Sequence, residues 1–130
     1  VSEVTARWSE DHRVGGIVSF AGLVRADETE AGRVRAIEFT AHRSMAARSL
    51  REMAGRLAAG YESGVLRVYM QHALGLVPVG DVPLVIVVGA GHREEAFGLC
   101  RDLLEALKSE VPIYGKELTE GGGHQWKVNR

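Results

Sequence analysis

The apolar positions of the chain alternate in some segments and recur every three or four residues in others, which predicts both strands and helices. Residues 14–24 form an apolar, β-branched run with glycines, typical of a buried strand with bulges. Residues 34–39 predict a partner strand, so that the charged loop 26–32 would join a hairpin. Further strands are predicted at residues 65–70 and 82–90, and the second of these is a continuous apolar run suited to the centre of a sheet.

Two segments have the period of an amphipathic helix. In residues 43–59 an apolar stripe is followed by Gly60, a common helix end. In residues 94–109 the apolar face includes Phe97, and Pro112 stops the helix. Runs of strands between two helices favour an α+β fold, with two main helices on a mixed, largely antiparallel sheet.

The rest of the chain predicts a turn and two short closing strands. Residues 77–81 have a turn-like composition, and short strands are predicted at residues 111–116 and 125–128. The chain has 130 residues and shows no linker, repeat or low-complexity tract, so we expect one domain over residues 1–130.

Charge and cysteine content exclude several classes of function. The chain has 16 Lys+Arg and 17 Asp+Glu, a formal net charge of −1, which argues against a nucleic-acid or anionic-membrane surface but not against a local cluster of cations. The single cysteine, Cys100, allows no internal disulfide, and the histidine spacings hold no close ligand pair, so we expect no metal site. The longest apolar run is about half of a membrane span, and the first residues lack a secretory signal. We therefore expect a cytoplasmic protein.

Four places in the sequence hold polar groups that the fold does not obviously require, and three of them are defined by basic residues. Arg25 ends the first strand, where it could clamp a phosphate or carboxylate or could simply be solvated. His92 and Arg93 follow a glycine turn that aims amide groups and a helix N-terminus at one spot, although His92 could merely cap the helix. Lys108 lies near the end of the second helix, where it could equally complement the helix dipole. A fourth segment, residues 112–117, combines an aromatic, a lysine and a carboxylate and could also be an ordinary strand start.

The four places together resemble one family, the large catalytic subunit of molybdopterin synthase. Two segments are similar to family motifs, GIVSFAGLVR at residues 16–25 and HALGLVPVGD at residues 72–81. GHREEAF at 91–97 and Lys108 followed by PIY at 112–114 continue the match in the same order and spacing. Each motif is weak alone, but four in register are specific.

This resemblance implies an α+β fold with a hammerhead-type β-substructure and a sulfurtransferase activity in molybdenum cofactor biosynthesis. The family's enzyme converts precursor Z, a cyclic pterin monophosphate, into molybdopterin by installing two sulfurs as a dithiolene. Sulfur arrives on the C-terminal thiocarboxylate of a separate small ubiquitin-like subunit, which threads into a pocket of the large one. Two large subunits form a homodimer within a heterotetramer, and neither a cofactor nor a metal is implied.

The resemblance also assigns residues to the site. Lys108 matches the family's catalytic lysine, a candidate for general acid–base or electrostatic work. A cluster of cations would hold the anionic phosphate and the anionic donor tail. Arg130 matches a C-terminal arginine that reaches the pocket of the dimer mate. The positions matching substrate-binding residues are Arg25, His92, Arg93, Glu117 and Arg130.

One departure from the family lies after Tyr114. The family has a second active-site lysine directly after the aromatic residue, whereas this chain has Gly115 there and Lys116 one position later. Adjacent side chains of a strand point to opposite faces, but Gly115 could permit a bulge that turns Lys116 inward as a second catalytic residue. The alternatives are a non-catalytic or weakened paralogue that binds the small subunit and substrate, and an unrelated α+β anion-binding domain.

Overall fold

The computed structural model describes residues 1–62 and 64–127 of the chain. Three helices and eight strands occur in this part. The helices are α1 (Ser2–Trp8), α2 (Arg43–Ala59) and α3 (Arg93–Glu110). The strands are β1 (Gly16–Gly22), β2 (Glu28–Thr29), β3 (Gly32–Thr40), β4 (Leu66–His72), β5 (Gly75–Pro78), β6 (Leu84–Ala90), β7 (Tyr114–Thr119) and β8 (His124–Trp126). The predicted α+β class and both main helices are confirmed, and α1 is an addition.

The strands form two antiparallel sheets instead of one mixed sheet. The first has the order β1-β6-β4, and its central strand β6 places Val88 opposite both Val18 and Val68. The second has the order β2-β3-β7-β8, with β5 also pairing with β3. Every strand pair within residues 1–62 and 64–127 is antiparallel, so the predicted parallel component is wrong.

The predicted hairpin between β1 and β3 is also wrong, because the two strands belong to different sheets. The charged loop after β1 contains β2, which pairs with the start of β3 through Glu28 opposite Arg33. The predicted turn at 77–81 begins inside β5, which pairs with β3 through Val77 opposite Ile37. Alternating apolar residues specify which face of a strand is buried, but they do not specify its partner.

Helices α2 and α3 cover the first sheet and form the larger core. Ile86 of β6 and Leu99 and Leu103 of α3 are fully buried, and side chains of this size each contribute about 1.5–3 kcal/mol when removed from water. Phe97, predicted on the buried face of α3, is instead 63% exposed. The buried stripe passes beside it, through Ala96, Leu99, Cys100, Leu103, Ala106 and Leu107.

A smaller core lies on the second sheet around Ile37 and Phe39 of β3. Ile113, in the loop between α3 and β7, packs against both cores. This shared contact holds the end of α3 against the second sheet, and the principal cleft of the molecule opens at that junction.

Candidate active site

The cleft has a volume of about 800 Å³, within the usual range of roughly 300–1,000 Å³ for small-molecule sites. Residues 20–25 at the end of β1 and residues 107–113 at the end of α3 form two of its walls. Strands β3, β4, β6, β7 and β8 also contribute side chains, as do Leu104 of α3 and the loop residues Asp27, Pro83 and Lys127. The charged or titratable side chains in the lining are Arg25, Asp27, His72, Lys108, Glu110, Tyr114, Glu117 and Lys127.

Arg25 enters the cleft from a loop fixed by backbone hydrogen bonds. The Val24 N–H donates to the Asp81 carbonyl at 3.1 Å, and the Gly80 N–H donates to the Val24 carbonyl at 3.0 Å. Arg25 Nη2 lies 3.2 Å from Asp27 Oδ2, and the Arg25 side chain is 62% exposed. An exposed ion pair of this kind contributes little stability. The guanidinium can therefore exchange its carboxylate for an anionic ligand at small cost.

Lys108 reaches the cleft from the last turn of α3. Leu104 and Leu107 of the same helix line the cleft beside it. The Val111 N–H donates to the Leu107 carbonyl at 3.3 Å and closes the helix. A cation here complements the partial negative charge of the helix C-terminus and also faces the cleft, so the two sequence interpretations of Lys108 are compatible.

Glu117 is a buried carboxylate of the cleft, 2% exposed in β7. It lies opposite Gln125 of β8, whose Nε2 donates to Glu117 Oε1 at 2.9 Å. A buried carboxylate is costly without hydrogen bonds, so this pair fixes the carboxylate in place. Glu117 is consequently a rigid acceptor in the lining.

Lys116 does not reach the cleft. The β3–β7 register is continuous through Gly115, and its shift lies at the start of β3, so β7 lacks the bulge that would turn Lys116 inward. Gly115 and Glu117 line the cleft, whereas Lys116 does not. The predicted rescue by a bulge is therefore wrong.

His92 and Arg93 lie at the opposite end of α3 from Lys108. Arg93 is the first residue of the helix and Lys108 its sixteenth, a separation of about 22 Å along the axis. Both His92 and Arg93 are exposed, and neither lines the cleft. The His92 side chain makes no capping hydrogen bond, although its carbonyl accepts from the Ala96 N–H at 3.2 Å. Within one chain, therefore, His92 and Arg93 do not lie beside Lys108. Arg130 lies outside the described residues.

Two basic side chains of the cleft, His72 and Lys127, were missed as site residues. His72 ends β4, and its ring packs edge-on against Phe39 with centroids 4.8 Å apart. His72 Nδ1 lies 2.7 Å from the Ala73 carbonyl, which can only accept, so Nδ1 carries the hydrogen. Burial lowers the pKa of His72 against the effect of that hydrogen bond, and the charge of Lys127 lowers the pKa further.

Counting the register of the closing strands would have located Lys127. A Gly-rich turn at 121–123 separates two short strands, and Lys116 pairs with Trp126 across it. The residue before Lys116 and the residue after Trp126 therefore lie side by side. His72 opens one of the sequence motifs but has no spacing that marks it as a ligand.

The remaining reactive groups do not add a second chemistry. Cys100 is 6% exposed, and burial raises the pKa of its thiol, which makes it a poor nucleophile. Within residues 1–62 and 64–127, no group of three or more His, Cys, Asp or Glu side chains is placed to hold a metal ion. In the same part of the chain, each helix is too short or too polar to cross a bilayer.

An α+β domain with a cleft lined by an arginine from the loop after β1 and a lysine from the end of α3 is the class that this fold and site define. The profile of the MoaE protein family matches residues 1–110, from α1 to the end of α3. The chain is 31% identical over 120 residues to the molybdopterin synthase catalytic subunit of Dictyostelium discoideum, covering 92% of this chain and 75% of that one. The chain belongs to the MoaE protein family.

Solved structures show the same fold at lower identity. Molybdopterin synthase from Staphylococcus aureus superposes with a TM-score of 0.84 at 24% identity, over 96% of this chain and 90% of that chain. A chain from the complex of subunits 1 and 2 of the Helicobacter pylori molybdopterin-converting factor superposes with a TM-score of 0.74 at 18% identity, over 99% and 84% of the two chains. The fold prediction is confirmed by both.

Proposed function

We propose that this chain is a molybdopterin synthase catalytic subunit that transfers sulfur from the thiocarboxylate of a small ubiquitin-like subunit to precursor Z. The observation that carries the proposal is the convergence of Arg25 and Lys108 in one cleft with the buried carboxylate of Glu117. These side chains come from the loop after β1, from α3 and from β7. The names of the relatives support the reaction, and the two-subunit Helicobacter pylori complex supports the partner.

The charges of the cleft suit the proposed substrates. Precursor Z carries a phosphate, and the thiocarboxylate donor is also an anion. Arg25 would bind the phosphate with two parallel N–H donors in place of Asp27. Lys108 would act next to the reacting atoms as a general acid or base or by stabilising developing charge, contributions of about 10²–10⁴-fold in rate.

The apolar side chains of the cleft support the same chemistry. Phe39 is 7% exposed and Leu107 is also 7% exposed, and both line the cleft together with Ile113. Walls of this kind exclude water around a bound ligand and strengthen each charged contact inside. Since Cys100 is buried in the core, the sulfur would have to come from the partner subunit.

A homodimer would complete the site. His92 and Arg93 are substrate-binding candidates, yet they lie about 22 Å from Lys108 along α3. A second copy would bring them to the first copy's cleft by two-fold symmetry. Phe97, one turn further along and 63% exposed, supports a contact surface at this end of the helix.

Gly115 favours a second candidate function, a paralogue that binds without turnover. Such a protein would retain the cleft, Arg25 and Lys108 but lack the ammonium that the family places after the aromatic residue. Binding of precursor Z and of the small subunit would then be measurable while product formation would not.

Reconstitution separates the two candidates. The purified chain would be mixed with thiocarboxylated small subunit and precursor Z, and the dithiolene product would be measured alongside a competent large subunit. We expect product formation at a rate within the range of the control. Absence of product with retained binding would support the paralogue, and absence of both would overturn the proposed function.

A further inference from the structure

The side chain of Lys127 occupies the space in front of Gly115. A Cβ atom built on Gly115 would lie 3.3 Å from Lys127 Cδ, 3.1 Å from Ile37 Cγ2 and 3.2 Å from Phe39 Cε1. These distances are tighter than most real Cβ contacts. Glycine at 115 therefore leaves the room through which the methylene chain of Lys127 passes.

The backbone of Lys127 is fixed in the same place. Its N–H donates to the Gly115 carbonyl at 2.7 Å, which continues the β7–β8 ladder one step beyond the pair of Lys116 with Trp126. Because the backbone is held beside Gly115, the side chain starts at the wall of the cleft. Both Gly115 and Lys127 line that cleft together with Lys108.

We propose that Lys127 supplies the second ammonium group of the active-site cleft, and that Gly115 is the space its side chain requires. The inference rests on the proposed function, because the anion to be held is the phosphate of precursor Z or the carboxyl end of the small subunit. Two neighbouring lysines are thus distinguished: Lys116 of β7 does not line the cleft, and Lys127, directly after β8, does.

Charges of both signs line the cleft around Lys127. Asp27 pairs with Arg25 at 3.2 Å, and Glu117 accepts from Gln125 at 2.9 Å. Glu110 pairs with Arg56 from α2. The charge of Lys127 acts on His72, which also lines the cleft, so the ammonium contributes to the potential that a bound anion would meet. An ammonium on a flexible stem suits a phosphate or carboxylate whose position changes between two sulfur transfers.

The test removes the charge and keeps the stem. Lys127→Met would be compared with Lys116→Met, a matched change on the neighbouring strand. Charge-assisted hydrogen bonds predict a loss of about ten- to a hundredfold in kcat/KM for Lys127→Met and a change within about twofold for Lys116→Met. Lys127→Arg should recover most of the loss. Equal rates for wild type and Lys127→Met, or a larger loss at Lys116, would overturn the proposal.

Binding measurements keep this result separate from the proposed function. One titration uses precursor Z without any sulfur donor, and the other uses the small subunit with a carboxylate C-terminus. We expect Lys127→Met to weaken one of the two about tenfold, and that titration identifies the anion. If the wild type binds both but forms no product, the proposed reaction fails, while weaker binding by Lys127→Met in either titration still supports the role of Lys127 in anion binding. Unchanged affinity in both titrations would refute the role of Lys127.

Discussion

The two ends of helix α3 carry basic side chains in different surroundings. At its last turn, Lys108 faces the cleft with Leu104 and Leu107 beside it. At its first turn, His92 and Arg93 are exposed and outside the cleft. A helix of eighteen residues is rigid on this scale, so its ends stay about 27 Å apart in one chain. One chain therefore does not bring His92 or Arg93 to the cleft that Lys108 lines.

The middle of α3 differs from both ends because its side chains pack in the larger core. Leu99 and Leu103 have no exposed surface. A Cβ on Gly98 would lie 2.8 Å from the Tyr61 hydroxyl oxygen, so α3 fits closely against Tyr61, the second residue after α2. Mutations at the ends should therefore alter function, and mutations in the middle should alter stability.

Substitution of Lys108 should have the largest effect. Lys108→Ala removes the ammonium nearest the end of α3, and we expect turnover to fall by about 10²–10⁴-fold. The melting temperature should change little because Lys108 is exposed. Single-turnover product formation and thermal unfolding by circular dichroism would measure the two quantities.

Arg101→Ala is the matched control for that substitution. Arg101 is also exposed on α3 but does not line the cleft, and its removal should leave turnover near the wild-type value. Near-normal rates for Lys108→Ala, or a similar loss for both variants, would remove Lys108 from catalysis.

Mixing two inactive variants tests whether the ends of α3 from different copies meet. If one copy supplies Lys108 and its mate supplies His92, a mixed dimer of Lys108→Ala and His92→Ala holds one intact site. A random mixture then has about a quarter of wild-type activity and the isolated mixed dimer about half, although each variant alone is inactive. Coexpression of the two chains with different tags, followed by isolation of the mixed dimer, provides the sample.

The control mixture combines two changes in one cleft. Lys108→Ala mixed with Arg25→Ala should stay inactive, because both residues belong to the same copy's cleft and each site then lacks one of them. Recovery in this control would mean that Lys108 and Arg25 of one site come from different copies. No recovery from verified mixed dimers of Lys108→Ala and His92→Ala would place His92 outside the site of the mate.

Much of the fold was predictable because it depends on local pattern. The apolar stripe and Gly60 predict α2 with the bounds observed, and the continuous apolar run predicts β6 as a central strand. Strand partnership was not predictable in the same way, since β1 and β3 are neighbours in sequence but join different sheets. Phe97 was misplaced because one helical position, about 100°, separates it from the buried Ala96.

The candidate site was likewise predictable where it depends on sequence motifs and not where it depends on strand pairing. Arg25, Lys108 and Glu117 were predicted from motifs, and the structure gathers them in the cleft. Whether Lys116 could reach the cleft depended on a bulge at Gly115, and the pairing of β7 with β3 decides whether that bulge forms. Lys127 became visible only through the β7–β8 register, because its importance comes from the residue beside it in space.

Tyr61 offers the smallest expected effect and concerns the middle of α3. Its hydroxyl donates to Asp102 Oδ2 at 2.6 Å. That hydrogen bond, then burial and then the charge of Asp102, raise the pKa of Tyr61 from 10.0 to about 12. Because the folded pKa lies above the unfolded value, the stabilisation is complete below pH 10 and is lost as pH rises toward 12.

Tyr61→Phe should therefore lower the free energy of unfolding at pH 7 by only about 0.5–1 kcal/mol, since the pair is partly exposed to solvent. Turnover should stay at the wild-type value, in contrast to substitutions at the C-terminal end of α3. Urea unfolding at pH 7 and at successive values above pH 10 would show the difference between the two proteins shrinking as the phenol ionises. Ultraviolet titration of tyrosinate should show one late-ionising phenol in the wild type and none in the variant. A loss of turnover in Tyr61→Phe would mean that the middle of the helix takes part in function, and a stability difference that is constant with pH would mean that the hydrogen bond to Asp102 is not its source.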